Sequence, residues 1–129
     1  MFSKLLLLAA AGGAGTLARY GLHAATHRWL APPTAGNFPW GTVAVNALGC
    51  LLFGLVFGLT ETRAHLPPAT RLILLTGFMG AFTTFSTFAH DTAHLARGGA
   101  VGLAMANLAL QNLAGLTLAA VGFVLGSRL

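Results

Sequence analysis

Four stretches of the chain, roughly residues 3 to 28, 41 to 61, 71 to 92 and 101 to 126, are apolar over lengths that few folds can use. A hydrocarbon core about 30 Å thick takes ~20 residues of helix to cross, and each stretch meets that length. Of the 129 residues, 56% are hydrophobic and only 7% are charged, whereas soluble domains run near ~25% charged. A water-soluble fold would have too little polar surface. The expected class is an all-α membrane protein of four transmembrane helices. Residues 1–129 read as a single four-helix transmembrane domain, with almost no chain left for an ATPase module or a long binding loop.

The breaks between the stretches carry turn chemistry. APPTAGNFP, from Ala31 to Pro39, separates the first two, and RAHLPPATR, from Arg63 to Arg71, the next two. Arg97, Gly98 and Gly99 make the third, tight turn. The opening segment, Lys4 followed by LLLLAAAGG, imitates a signal peptide. Its helical pattern continues through Leu17 and Tyr20, which reads as a retained first helix. The lone cysteine, Cys50, lies inside the second stretch, so no disulfide framework is possible and its simplest role is packing.

Seven basic and two acidic residues give a formal charge of +5. The basic residues are scattered, which argues against nucleic acid as a partner. With four spans, Lys4, Arg63, Arg71 and Arg128 fall on one side of the membrane, and Arg28 and Arg97, with Arg19 if it reaches out that way, on the other. Orientation follows the imbalance of Lys and Arg in short loops, and here the imbalance is small. The expectation is insertion both ways up, paired as an antiparallel dimer.

Glycines four apart, Gly54 with Gly58 and Gly122 with Gly126, allow close helix packing in lipid. GGAGTLA is not a phosphate loop, because no strand precedes it. The third stretch departs from simple packing: TGFMGAFTTFSTFAHD, from Thr76 to Asp91, concentrates glycine and hydroxyl residues at mid-span. That composition predicts a broken third helix, tolerated at membrane depth only inside protein or beside water. Phe85 and Phe88, three apart, share a helical face, where an aromatic pair is most often core packing; the polar residues around them open a second reading. Ring edges are electropositive, so with hydroxyls at Ser86 and Thr87 and the amide of Asn46 they can line a path for a small anion. Asn46 has a second reading, as a tie between two helices. His90, Asp91 and His94 form an HDxxH string without a third ligand in view, and they read as capping the third helix at the water interface.

GFMGAFTTFSTF, together with GTVAVNALGCLLFG from Gly41 to Gly54 and GGAGTLARY from Gly12 to Tyr20, resembles the Fluc (CrcB) family of fluoride channels over nearly the whole chain. The resemblance implies no enzyme activity. It implies a passive, selective fluoride channel, exporting fluoride across the cell (inner) membrane as a multi-pass protein. It further implies a dual-topology antiparallel homodimer with two pores and a structural sodium ion on the two-fold axis. Carried over by position, Phe85 and Phe88 match the pore phenylalanines, Asn46 the pore asparagine, and Ser86 and Thr87 the neighbouring hydroxyls. Main-chain carbonyls of Gly80 and Thr83 would hold the sodium. Arg19 matches an arginine near a pore vestibule, with snorkelling to headgroups as its other reading. Where the family's fourth helix usually carries a tyrosine and, four residues on, a serine, this chain has Asn107 and Gln111. Spaced i to i+4, they keep a polar face in which amides replace hydroxyls.

Two rivals stand against this reading. A small proton-coupled multidrug exporter needs a titratable carboxylate within the membrane, and Glu61 and Asp91, the only acids, lie at helix ends. A non-transporting scaffold accounts for the apolar packing but not for the polar residues of the third stretch.

Overall fold

The computed structural model describes residues 2–29, 37–62 and 66–129, and among these every regular element is helical. Helix α1 spans Phe2–Trp29 and α2 spans Trp40–Thr62. The third passage is assembled from α3 (Pro68–Arg71), a π-helical stretch (Leu72–Met79), α4 (Gly80–Phe82) and α5 (Phe85–Arg97). Helix α6 spans Val101–Arg128. Four segments, Phe2–Trp29, Trp40–Glu61, Pro68–Arg97 and Val101–Arg128, are long and apolar enough to cross a membrane. Arg63 and most of the first connection lie outside the described residues.

Local chemistry sets the boundaries. Pro67 and Pro68 open the third passage, where a missing N–H costs nothing because the first helical donors have no partner anyway. Its far end closes on a left-handed glycine. Gly99, at φ 81°, lets Ala100 N–H reach the carbonyl of Leu95 at 3.0 Å and Gly99 N–H that of Ala96 at 3.1 Å. This paired closure satisfies carbonyls that the end of α5 would leave bare, and it turns the chain directly into α6.

Helix α2 packs along α6, and α1 packs along the π-helical stretch. The first contact is backbone on backbone. A Cβ added at Gly54 or Gly58 would overlap the carbonyl oxygen of Ala119 or Phe123, and one at Gly122 or Gly126 that of Leu51 or Leu55. Bare backbones therefore meet along two turns of each helix, where lipid offers no hydrophobic drive and close packing must supply the attraction. Val45, Met79, Phe82, Phe88, Leu95 and Ala104 form the small core. The outer faces of α1 and α6, with Leu5, Leu17, Leu113 and Leu116 more than half exposed, are apolar surfaces suited to lipid tails.

Two features shape the third passage. In the π-helical stretch the turn is widened, so that Gly80 N–H reaches back five residues to Leu75. Helical geometry is then interrupted: Thr83 (φ −80°, ψ 159°) and Thr84 (φ −148°, ψ 108°) are extended. The interruption falls within the glycine- and hydroxyl-rich run at mid-span. The π-helical stretch was not foreseen from the sequence.

Candidate functional site

An extended residue inside a membrane passage leaves backbone polar groups without helical partners, and each needs another one. Asn46, on the inward face of α2, supplies both for Thr84. Its Oδ1 accepts from Thr84 N–H at 2.9 Å, and its Nδ2 donates to the Thr84 carbonyl at 3.1 Å. The amide thus pairs with Thr84 as a neighbouring strand would. The Thr84 hydroxyl then starts α5, accepting from Thr87 N–H at 3.2 Å while donating to Thr87 Oγ1 at 2.9 Å. Ser86 Oγ lies 3.3 Å from the same hydroxyl.

The second hydrogen of Asn46 Nδ2 goes to Gln111 Oε1 at 2.7 Å. From there a relay of amides runs along α6 and back to α5. Gln111 Nε2 donates to Asn107 Oδ1 at 2.9 Å, Asn107 Nδ2 to Thr92 Oγ1 at 2.8 Å, and Thr92 Oγ1 to the Phe88 carbonyl at 2.8 Å. Every donor points the same way around this circuit, which ties α2, α5 and α6 together at the interruption. Such a fully satisfied network rigidifies its surroundings.

Two cavities meet at Thr84. One, of about 270 Å³, is lined by Asn46, Cys50, Thr83, Thr84, Phe85, Phe88, Gln111 and Asn112. The other, of about 300 Å³, is lined by Arg19, Tyr20, His23, Thr42, Thr84 and Thr87. The first is an aromatic and amide chamber, with the Phe85 and Phe88 rings 5.5 Å apart at 59°. The second carries a guanidinium and hydroxyls, a combination that attracts anions from water. Thr84 is common to both linings, so the residue that Asn46 holds is the partition between them.

The structure brings Asn46, Phe85, Phe88 and Gln111 to one chamber and Arg19 and Thr87 to the other. Ser86 is exposed and lines neither. Asn107 is fully buried and also lines neither; its amide supports Gln111. Gly80 opens the short α4 before the interruption, and Thr83 is the first residue of the interruption, on the chamber wall. Asp91 does not cap its helix. Its Oδ2 instead accepts from Thr42 Oγ1 at 2.7 Å, while the end of α5 is closed by backbone groups.

Sequence reasoning passed over Thr42, Thr92 and Asn112. Thr42 stands four residues before Asn46 and Thr92 four after Phe88, so each lies on a helical face already singled out. That spacing was the available signal. Asn112 is an exposed amide near the middle of α6, and it stood out only by being polar.

Comparison with known proteins identifies the family. The profile of the family described as CrcB-like protein, Camphor Resistance (CrcB), matches residues 6–123. A protein of Maridesulfovibrio salexigens named fluoride-specific ion channel FluC is 46% identical over 123 residues, covering 95% of this chain and 94% of its own length. Proteins of the same name from Nitrosococcus oceani, at 44% over 125 residues, and Solidesulfovibrio magneticus, at 45% over 126, cover 97% and 98% of both partners. These relatives are named as ion channels rather than enzymes, and the four membrane-length helices suit a multi-pass membrane protein. The chain belongs to the CrcB-like family.

Proposed function

We propose that the chain is a passive, fluoride-selective channel, and that the observation carrying this reading is the pair of cavities sharing Thr84. Fluoride is small and strongly hydrated, so a route for it must replace water with directed donors. Arg19 and the Thr87 hydroxyl concentrate and receive the anion on one side, the hydroxyl hydrogens of Thr42 and Thr84 being held by Asp91 and Thr87. On the other side stand the edges of Phe85 and Phe88 and the N–H of Gln111 that Asn107 does not occupy. Asn46 acts by position: both hydrogens of its Nδ2 are engaged by protein, and its work is to hold Thr84 extended. Ser86 adjusts the Thr84 hydroxyl, and Asn107 orients Gln111.

The assembly we propose is an antiparallel homodimer with one pore per chain, in the cell (inner) membrane. Phe85 is 78% exposed, and the Asn112 amide is exposed near mid-span. One hydrogen of that amide goes to the Leu108 carbonyl at 2.7 Å; an exposed amide at that depth is still unfavourable, and a second copy placed over this face would cover both groups. The near-balanced distribution of Lys and Arg supports insertion in both orientations.

A structural sodium ion suits the same region. The helical donor of the Gly80 carbonyl would be Thr84 N–H, which is given to Asn46; that of the Thr83 carbonyl would be Thr87 N–H, which is given to Thr84 Oγ1. Two carbonyl oxygens are thereby deprived of their i+4 donors, and such oxygens are the ligands a hard cation takes. An ion held there would fix the interrupted backbone.

The test is fluoride efflux from proteoliposomes holding the purified protein, read by a fluoride electrode with chloride as the control anion. Rapid fluoride release with negligible chloride release is expected. Equal release of both anions, or none from folded dimeric protein, refutes the reading.

A further inference from the structure

Outside the cavities, two histidines stand one turn apart near the end of α5. His90 and His94 lie four residues apart on one face, both exposed, with rings nearly parallel at 8° and centroids 6.2 Å apart. We infer that His90 and His94 form a binding site for a divalent transition-metal ion, with Asp91 supplying negative charge beside it.

The geometry beneath the pair carries the argument. Asp91 Oδ1 lies 3.6 Å from His90 Nδ1, while Asp91 Oδ2 accepts from Thr42 Oγ1 at 2.7 Å. Thr42 is 1% exposed and belongs to α2, so the carboxylate is steadied from a second helix. At 3.6 Å the approach to His90 Nδ1 is a contact of charge rather than a hydrogen bond, and it sets a negative charge beside the pair that favours a bound cation.

The ligand chemistry selects the ion. Two imidazoles suit Zn²⁺, Ni²⁺ or Cu²⁺, whereas Mg²⁺ and Ca²⁺ take oxygen. Among the described residues no group of three or more His, Cys, Asp and Glu converges, so water completes the coordination. A second pair, His23 and His27 on α1, has rings 4.9 Å apart. It serves as an internal contrast. His23 lines the same cavity as Arg19, and Arg28 follows His27; neither ring has an ion-pair carboxylate such as Asp91 gives His90. The inference does not depend on what crosses the membrane.

The experiment is calorimetric titration of Ni²⁺ into the detergent-solubilised, untagged full-length protein. One ion per chain is expected. His90→Gln or His94→Gln should weaken binding at least about tenfold, and Asp91→Asn by a smaller factor, as loss of a neighbouring charge does. The double variant His23→Gln/His27→Gln should bind as the parent does. Because His90 and His94 are exposed, their variants should keep the parent circular dichroism spectrum. Copper spectra from the same samples should show two nitrogen couplings in the parent and one in either single variant. The inference is overturned by absence of saturable binding, by unchanged affinity in the His90, His94 or Asp91 variants, or by loss that follows His23 and His27.

Discussion

Replacing Asn46 by leucine, which nearly preserves volume, tests the amide circuit most directly. The change removes three hydrogen bonds, those to Thr84 N–H, the Thr84 carbonyl and Gln111 Oε1. Side-chain hydrogen bonds between membrane helices contribute on average ~0.6 kcal/mol and at most ~1.7. Three together therefore give about 2 kcal/mol, and the orphaned backbone of Thr84 moves the figure upward. Thr92→Val breaks the Asn107 link at the far end of the circuit and should cost only about 0.6 kcal/mol. Asn46→Asp should be worse than Asn46→Leu. It keeps an acceptor for Thr84 N–H but turns a carboxylate oxygen on the Thr84 carbonyl and on Gln111 Oε1. Reversible unfolding in mixed detergent and SDS micelles, followed by circular dichroism, measures each difference. A double-mutant cycle of Asn46→Leu with Gln111→Leu should show coupling near 1 kcal/mol, since the two share a bond. Strict additivity of the pair, or an Asn46→Leu cost no larger than that of Thr92→Val, would falsify the view that Asn46 holds the interruption.

The remaining predictions concern the pathway and the packing. Phe85→Ile and Phe88→Ile should each lower fluoride flux from proteoliposomes; unchanged flux in both places the pathway elsewhere. Arg19→Gln should reduce flux more at low ionic strength than at high, because salt screens its attraction for anions; an effect independent of salt argues for a packing role. Gly122→Val should destabilise by about 1–3 kcal/mol or more, since its side chain would run into the Leu51 carbonyl of α2, a backbone atom that cannot turn aside. Gly99→Ala should cost about 1 kcal/mol from its left-handed φ alone, read by the same unfolding assay.

What the sequence displays and what it hides divide along physical lines. The four spans were legible because lipid imposes one rule on every residue of a helix, and a run of apolar side chains records it directly. The packing of α2 on α6 was legible for a similar reason: Gly54, Gly58, Gly122 and Gly126 mark where backbones touch, although the spacing alone names no partner. The third passage was legible only as an anomaly. Its hydroxyls announced unmet backbone groups, but which residue would meet them depended on helices elsewhere in the chain. Asn46 left two readings open, a tie or a pore residue, and its three contacts make it a tie placed on the wall of a chamber. The π-helical stretch was not legible: half of Leu72–Met79 lies in the run already singled out, but nothing in its composition distinguishes a π turn from an α turn. The amides of α6 show why substitution there need not abolish a polar face. A hydroxyl has one hydrogen to give, and once it is committed to protein none remains for an ion. A carboxamide has two. Gln111 commits one to Asn107 and keeps one toward the chamber, so Asn107 and Gln111 can serve as brace and donor at once. On this argument Asn107→Leu should leave Gln111 in place but free to rotate. Fluoride flux should fall in part in Asn107→Leu and further in Gln111→Leu, while each variant, losing two hydrogen bonds, should lose about 1 kcal/mol of stability. The reverse order of effects would assign the anion contact to Asn107.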